Sequence, residues 1–196
     1  MKTGWIVLIV VVVLGFIGIS SITGSYNSLV NEQEPVTAAW SQVENVYQRR
    51  SDLIPNLVNT VQGYANFEKS TLTAVIEARA KATSTNIDAS KLTSEQIQAF
   101  QANQGGLSQA LGKLMMVTEA YPELKANQGF LDLQSQLEGT ENRIAVERQK
   151  YNQAAQTYNT SRRRFPKNIM ANMFGFEAKP YFEADAGAKT APKVQF

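Results

Sequence analysis

From Trp5 to Ile19 every residue is apolar or glycine. Lys2 is the one charged side chain before this run, and no other follows until Glu32. A helix built from such a run is apolar all round, which suits a bilayer and not water. Extended to Ile22 it is about 27 Å long at 1.5 Å per residue, close to the hydrocarbon thickness of about 30 Å. Trp5 suits the headgroup level, and Leu8, Val12, Phe16 and Ile19 belong to the same anchor. Ser20, Ser21 and Gly24 follow without a clear Ala-x-Ala site, and the run is long for a signal peptide. A retained anchor is therefore expected rather than a cleaved leader.

Charge sets the expected orientation. Lys2 and the α-amino group lie on the N-terminal side, and no Lys or Arg follows the run until Arg49. By the positive-inside rule the N-terminus is cytoplasmic. The remaining chain then lies on the extracytoplasmic side of a bacterial inner membrane, periplasmic where there are two membranes.

Composition narrows the chemistry. The chain has neither cysteine nor histidine. Disulfides, thiolate nucleophiles, a lipid-anchoring cysteine and imidazole ligands or bases are all excluded. A net charge of +2 does not point to nucleic acid. About 170 residues beyond the run suffice for one domain with a real core.

Residues 23–35 read either as a juxtamembrane linker or as a continuing helix. Val36, Trp40, Val43, Tyr47, Ile54, Leu57, Val58, Val61, Leu72 and Val75 then recur at helical steps of three and four. Glu34-Pro35 suits a helix start. Pro55 removes an N–H and interrupts the pattern, but no turn residues surround it. One long kinked helix over about 36–81 is expected rather than two.

Residues 82–92 form a polar loop, and Thr93-Ser-Glu-Gln96 resembles a capping box opening a second helix to about Ala120. Gly105-Gly106 weakens that helix and Tyr121-Pro122 ends it. The last long helix, about 128–164, places Phe130, Leu137, Ile144, Tyr151, Tyr158 and Phe165 seven residues apart, a seam for packing against neighbouring helices. A short amphipathic segment, 167–176, carries Met170, Met173, Phe174 and Phe176. The expected class is all-α: an N-terminal transmembrane helix, residues 1–25, then an antiparallel three- to four-helix bundle, 26–176, whose first helix is long and kinked. The tail 177–196 is expected to be poorly ordered.

Three groups of side chains are chemically suggestive. Glu68, Glu77, Glu119 and Glu141 lack the histidines that a di-metal carboxylate site between helices uses, so neither metal nor cofactor is expected. Arg49, Arg50 and Asp52 gather beside Pro55, and Glu141 and Arg148 flank the heptad seam. They read as ions that fix helix register rather than as a catalytic set. Arg162, Arg163 and Arg164 beside Phe165 form a basic cluster suited either to a helix C-terminus or to an anionic partner. With Met170, Met173, Phe174 and Phe176 they make a candidate partner surface. Asn152 and Asn159, each after a tyrosine, are expected to bond to neighbouring backbone.

These residues in this order resemble the bacterial LemA family: the anchor, Tyr26-Asn-Ser-Leu-Val30, Trp40, Arg49-Arg-Ser-Asp-Leu-Ile-Pro-Asn-Leu-Val58, Glu77-Ala-Arg79, Glu119-Ala-Tyr-Pro-Glu-Leu-Lys125, Thr140-Glu-Asn-Arg-Ile-Ala145, Arg148, Tyr151-Asn152, Tyr158-Asn159, Phe165-Pro166 and Phe174-Gly-Phe176. The resemblance covers about 1–182. It implies a single-pass membrane protein with an antiparallel helical bundle and brings no catalytic mechanism. It also implies a cytoplasmic bundle, opposite to the charge argument, which is retained here. The expected function is a structural or scaffolding role in the cell envelope. The expected partners are membrane lipid and further copies of the chain, with no nucleic acid. The alternative is an adaptor for an envelope protease or its substrates.

Overall fold

The computed structural model describes residues 2–63, 68–85, 87–89 and 92–183, and within these the chain is helical with no strand. The helices are α1 (Lys2–Gln62), α2 (Lys69–Thr83), α3 (Ser94–Thr118), α4 (Pro122–Lys125), α5 (Gln128–Arg163) and α6 (Lys167–Met173). Two compact units result, Met1–Ala38 with Gln153–Lys179, and Ala39–Asn152 with Pro180–Phe196.

Helix α1 corrects two expected boundaries. It does not begin at Val36; it runs through residues 23–35 and Pro35. It also ends at Gln62 rather than near residue 81, so α1 and α2 are separate helices. A proline costs a helix one hydrogen bond, about 3 kcal/mol in an interior. At Pro35 the burial of Leu29 and Val36 on either side opposes that cost. At Pro55 the missing N–H would have bonded the Ser51 carbonyl, four residues back. Arg79 of α2 takes that place, its Nε donating to Ser51 O at 2.9 Å. The expected helical positions Tyr64 and Ala65 lie outside the described residues.

The second unit is a four-helix bundle of α1 from residue 39, α2, α3 and α5 up to residue 152. Ser51 lies well back from the end of α1 and Arg79 well forward in α2, so these two helices are antiparallel. Tyr47 meets Phe100 and Arg50 meets Gln104, so α3 runs with α1. Trp40 meets Tyr151 and Arg50 meets Glu141, so α5 runs against it. The order is up, down, up, down. Ile54, Leu57, Val61, Val75, Leu107, Leu114, Leu124 and Phe130 fill one core cluster. Trp40, Tyr47, Phe100, Tyr151 and Phe182 make an aromatic cluster beside it.

Local signals explain the remaining ends. Thr93 Oγ1 accepts from the Gln96 N–H and the Thr93 N–H donates to Gln96 Oε1, the expected capping box at the start of α3. Gly105 and Gly106 do not break α3. Leu107, Leu111 and Leu114, just beyond them, are buried and hold the helix by packing.

Residues 177–183 are not the loose tail expected. In the second unit the Tyr151 hydroxyl donates to Pro180 O at 2.9 Å, and Asn152 both donates to Phe182 O and accepts from its N–H. Phe182 is buried and stacks on Trp40. In the first unit the Tyr158 hydroxyl donates to Glu177 O, and Asn159 clamps the Lys179 peptide in the same two-bond manner. Both asparagines thus bond to backbone, as expected. The rest of the tail, 184–196, lies outside the described residues.

The Arg79 bond to Ser51 leads to a double-mutant test. Arg79→Ala leaves a buried carbonyl without a donor and is expected to cost about 1–3 kcal/mol in denaturant unfolding. Pro55→Ala restores the helix N–H, so Arg79→Ala should cost clearly less in that background. Equal costs in both backgrounds would refute the substitution of one donor for the other.

Candidate functional site

The sequence pattern 97, 100, 104, 107, 111 and 114 puts Gln104 at a core position of α3. Arg50 takes the facing place on α1 and is 2% exposed. A guanidinium buried so far needs most of its donors engaged and a counter-charge. Its Nη1 donates to Ser108 Oγ at 2.9 Å and Glu141 Oε2 at 2.7 Å. Its Nη2 donates to Gln104 Oε1 at 2.5 Å and Gln104 O at 3.3 Å. Its Cζ lies 5.1 Å from the Tyr47 ring centre. Gln104 passes the network on, its Nε2 donating to Ala82 O of α2.

Beside this knot opens a cleft of about 310 Å³, lined by Arg50, Ser108, Leu111, Met115, Leu137 and Glu141 among others. Its walls are largely apolar, and its charged lining is the Arg50–Glu141 pair with Glu138. Glu141 is half exposed, so the pair joins buried protein to the solvent edge.

The other predicted charges part company. Arg49 and Asp52 are exposed, and Asp52 accepts from Gln48 rather than from an arginine. Pro55 is exposed. Arg148 does not meet Glu141. It donates to Glu183 O at 2.7 Å and lies over the Phe182 ring. Glu119 pairs with Lys125 and Glu68 bonds to Ser70, so the four glutamates are not gathered. Among the described residues no three acidic side chains converge as metal ligands do.

The first unit holds the other candidate surface. Lys167, at the start of α6, donates to Ser28 Oγ at 2.7 Å, Glu32 Oε1 at 2.9 Å and Ser161 Oγ at 2.7 Å. Burial works against the Glu32 charge. The bonds from Lys167, Ser161 and Ser28 together outweigh it and hold that carboxyl below its ordinary value. After α6 the chain turns at Gly175, φ +73°, a conformation that favours glycine. Phe176 N–H then bonds back to Ala171 O, closing a Schellman motif.

That turn sets Phe174 and Phe176 edge-on to Tyr26, with ring centres 5.1 and 5.4 Å away. The predicted partner surface therefore divides. Met170 is buried, Phe176 half-buried and Arg162 tied to Phe176 O, while Met173, Phe174, Arg163 and Arg164 are exposed. Phe165 leaves the heptad seam and is 80% exposed.

Sequence reading missed Gln104 and Ser108 as partners of Arg50, Arg79 as the donor for Ser51, and Lys167 as a latch. Gln104 alone left a signal, being polar at a core spacing.

Trp5, Leu8, Val12, Phe16 and Ile19 lie on α1, all exposed. Among the described residues α1 is the one helix long and apolar enough to cross a membrane, and none of its most apolar window is buried within the protein. Fold and surface thus define a helical-bundle protein whose N-terminal helix is consistent with a single-pass membrane anchor. The LemA family's sequence model matches residues 39–196, and the chain belongs to the LemA family. It is 29% identical to magnetosome protein MamQ 2 of Paramagnetospirillum magneticum, over 93% of this chain and 74% of that protein. It is 28% identical to MamQ of Magnetospirillum gryphiswaldense, over 86% and 69%. It is 26% identical to protein LemA of Metamycoplasma hominis, over 82% and 70%.

Two predictions follow from the charged contacts. Arg50→Lys keeps the charge but not the planar fork, and is expected to destabilise by about 1–3 kcal/mol in urea unfolding, whereas Arg49→Lys is near neutral. For Glu32 the folded pKa lies below 4.5, so its carboxylate adds stability above that pH and loses it as pH falls through the lowered value. Lys167→Met should remove this acid-side loss, followed as ellipticity against pH.

Proposed function

We propose that this protein is a single-pass membrane-anchored scaffold of the bacterial cell envelope that associates with copies of itself. The observation that carries this reading is α1. The helix bearing the exposed apolar run continues unbroken to Gln62 and supplies Arg50, the buried cation on which the other bundle helices bond. Membrane anchor and register point are one element. The charged groups are engaged in internal contacts, Arg50 with Glu141 and Arg148 with backbone, which supports a packing role for them. The names LemA and MamQ denote no enzyme, which agrees with a non-enzymatic role. The charge rule places the bundle on the extracytoplasmic side.

The second reading is an adaptor that seats a segment of an envelope protease or its substrate. The apolar cleft beside Arg50 and Glu141 favours it.

The absence of cysteine makes labelling clean. A single cysteine at position 190 should react with an impermeant maleimide in intact spheroplasts, and labelling only after lysis would reverse the orientation. Native mass in mild detergent should show more than one copy. Monomer alone would end the scaffold reading. Photocrosslinking from position 115 in cells should capture no other envelope protein; reproducible capture of a protease would favour the adaptor.

A further inference from the structure

We propose that the segment from Arg163 to Phe174 is a second membrane contact, an amphipathic foot resting in the headgroup layer of an anionic bilayer beside the point where α1 leaves it. The proposal rests on the apolar run of α1 spanning the membrane.

Helix α6 is apolar on two faces. Met170 and Ala171 are buried against the first unit. Ile169 and Met173, four residues apart and so on one face, are 47% and 65% exposed. Phe165, in the turn before α6, is 80% exposed, and Phe174, just after it, is 48% exposed. Lone exposed apolar residues are ordinary, but four within ten residues, two of them aromatic, mark a contact surface.

Position identifies the occupant. Tyr26 lies about 6 Å along the helix axis from Ile22, where the apolar run ends. Phe174 and Phe176 pack on Tyr26. Lys167 is bonded to Ser28 and Glu32, two and six residues further along α1 than Tyr26. These contacts hold α6 at the level of the membrane exit, where aromatic side chains are favoured. A short helix that turns an apolar face outward beside basic neighbours suits the interface of lipid and water.

Charge completes the match. Arg163 and Arg164 are exposed beside these apolar residues, with the Arg163 Nε donating to Asn159 O of its own helix, whereas Arg162 and Lys167 are tied to internal partners. Two exposed guanidinium groups at headgroup level favour anionic lipid over a neutral surface. The same position argues against a soluble protein partner, which would have to compete with the bilayer for this face.

The test uses the full chain in vesicles. A single cysteine carrying an environment-sensitive fluorophore is placed at position 173, and at position 12 as a control. Vesicles are phosphatidylcholine alone or mixed with phosphatidylglycerol, with quenchers at shallow or deep positions on the lipid. Position 12 should be quenched by the deep probe in both. Position 173 should shift to the blue and be quenched by the shallow probe, more strongly with phosphatidylglycerol. Arg163→Gln and Arg164→Gln should each lower its bound-to-free ratio on the order of fivefold in the anionic vesicles. Serine at 165, 169 and 173 should leave helicity unchanged and, read from a label at 174, abolish the quenching.

No quenching at 173 with strong quenching at 12 would overturn the foot and leave the anchor standing. No quenching at 12 would overturn the anchor, and the foot with it. Equal quenching at 173 in both lipid mixtures would overturn the anionic preference. A photocrosslinker at 173 that captures a second copy instead of lipid would give this face to self-association and overturn the proposal.

Discussion

A guanidinium removed from water needs hydrogen bonds and a counter-charge, and Arg50 finds both for its two Nη groups without leaving the core of the bundle, while its Nε stays unpartnered. Its partners come from α3 and α5, and Gln104 relays the network to α2. The next residue, Ser51, offers the carbonyl that Pro55 leaves free, and α2 answers it with Arg79. One turn of α1 therefore sets the register of every other long helix. Sliding any helix by a residue would strand a buried polar group, which costs far more than a mismatched leucine contact.

The tyrosine–asparagine pairs of α5 solve a different problem. An extended segment beside a helix has no ladder to satisfy its peptides. Each asparagine offers one donor and one acceptor to the C=O and N–H of a single residue, as a neighbouring strand would, and each tyrosine hydroxyl donates to a further carbonyl. Recognition is of backbone, so Phe182 is the one side chain of that stretch placed in the aromatic cluster.

Helix identity, the capping box and the heptad seam from Phe130 to Tyr158 were legible, because each rests on local periodicity or local hydrogen bonds. The limits of α1 were not. Proline reads as a boundary when its lost bond is counted alone, and the donor that replaces it at Pro55 lies on another helix. Glu141 was matched to Arg148 by spacing along one helix, but its partner is on α1. The ordered stretch 177–183 was missed because its support is two asparagines that resemble any other polar residues on a helix face. The Met/Phe segment was seen as one surface, and only the turn at Gly175 divides it into a packed and an exposed part.

The bonds to residues 50 and 51 also prescribe an order of assembly. Arg79 reaches Ser51 across 28 residues, Gln104 reaches Arg50 across 54, and Glu141 across 91. Closing a longer loop costs more entropy, so on loop length alone the bond from Arg79 is the least costly of the three to form and the pair with Glu141 the most. A chain growing from its N-terminus meets the partners in the same sequence. Until α5 exists the cation lacks the Glu141 carboxylate that pairs with it in the finished bundle. Closure of the core then waits for the helix that also carries the chain back to its first unit.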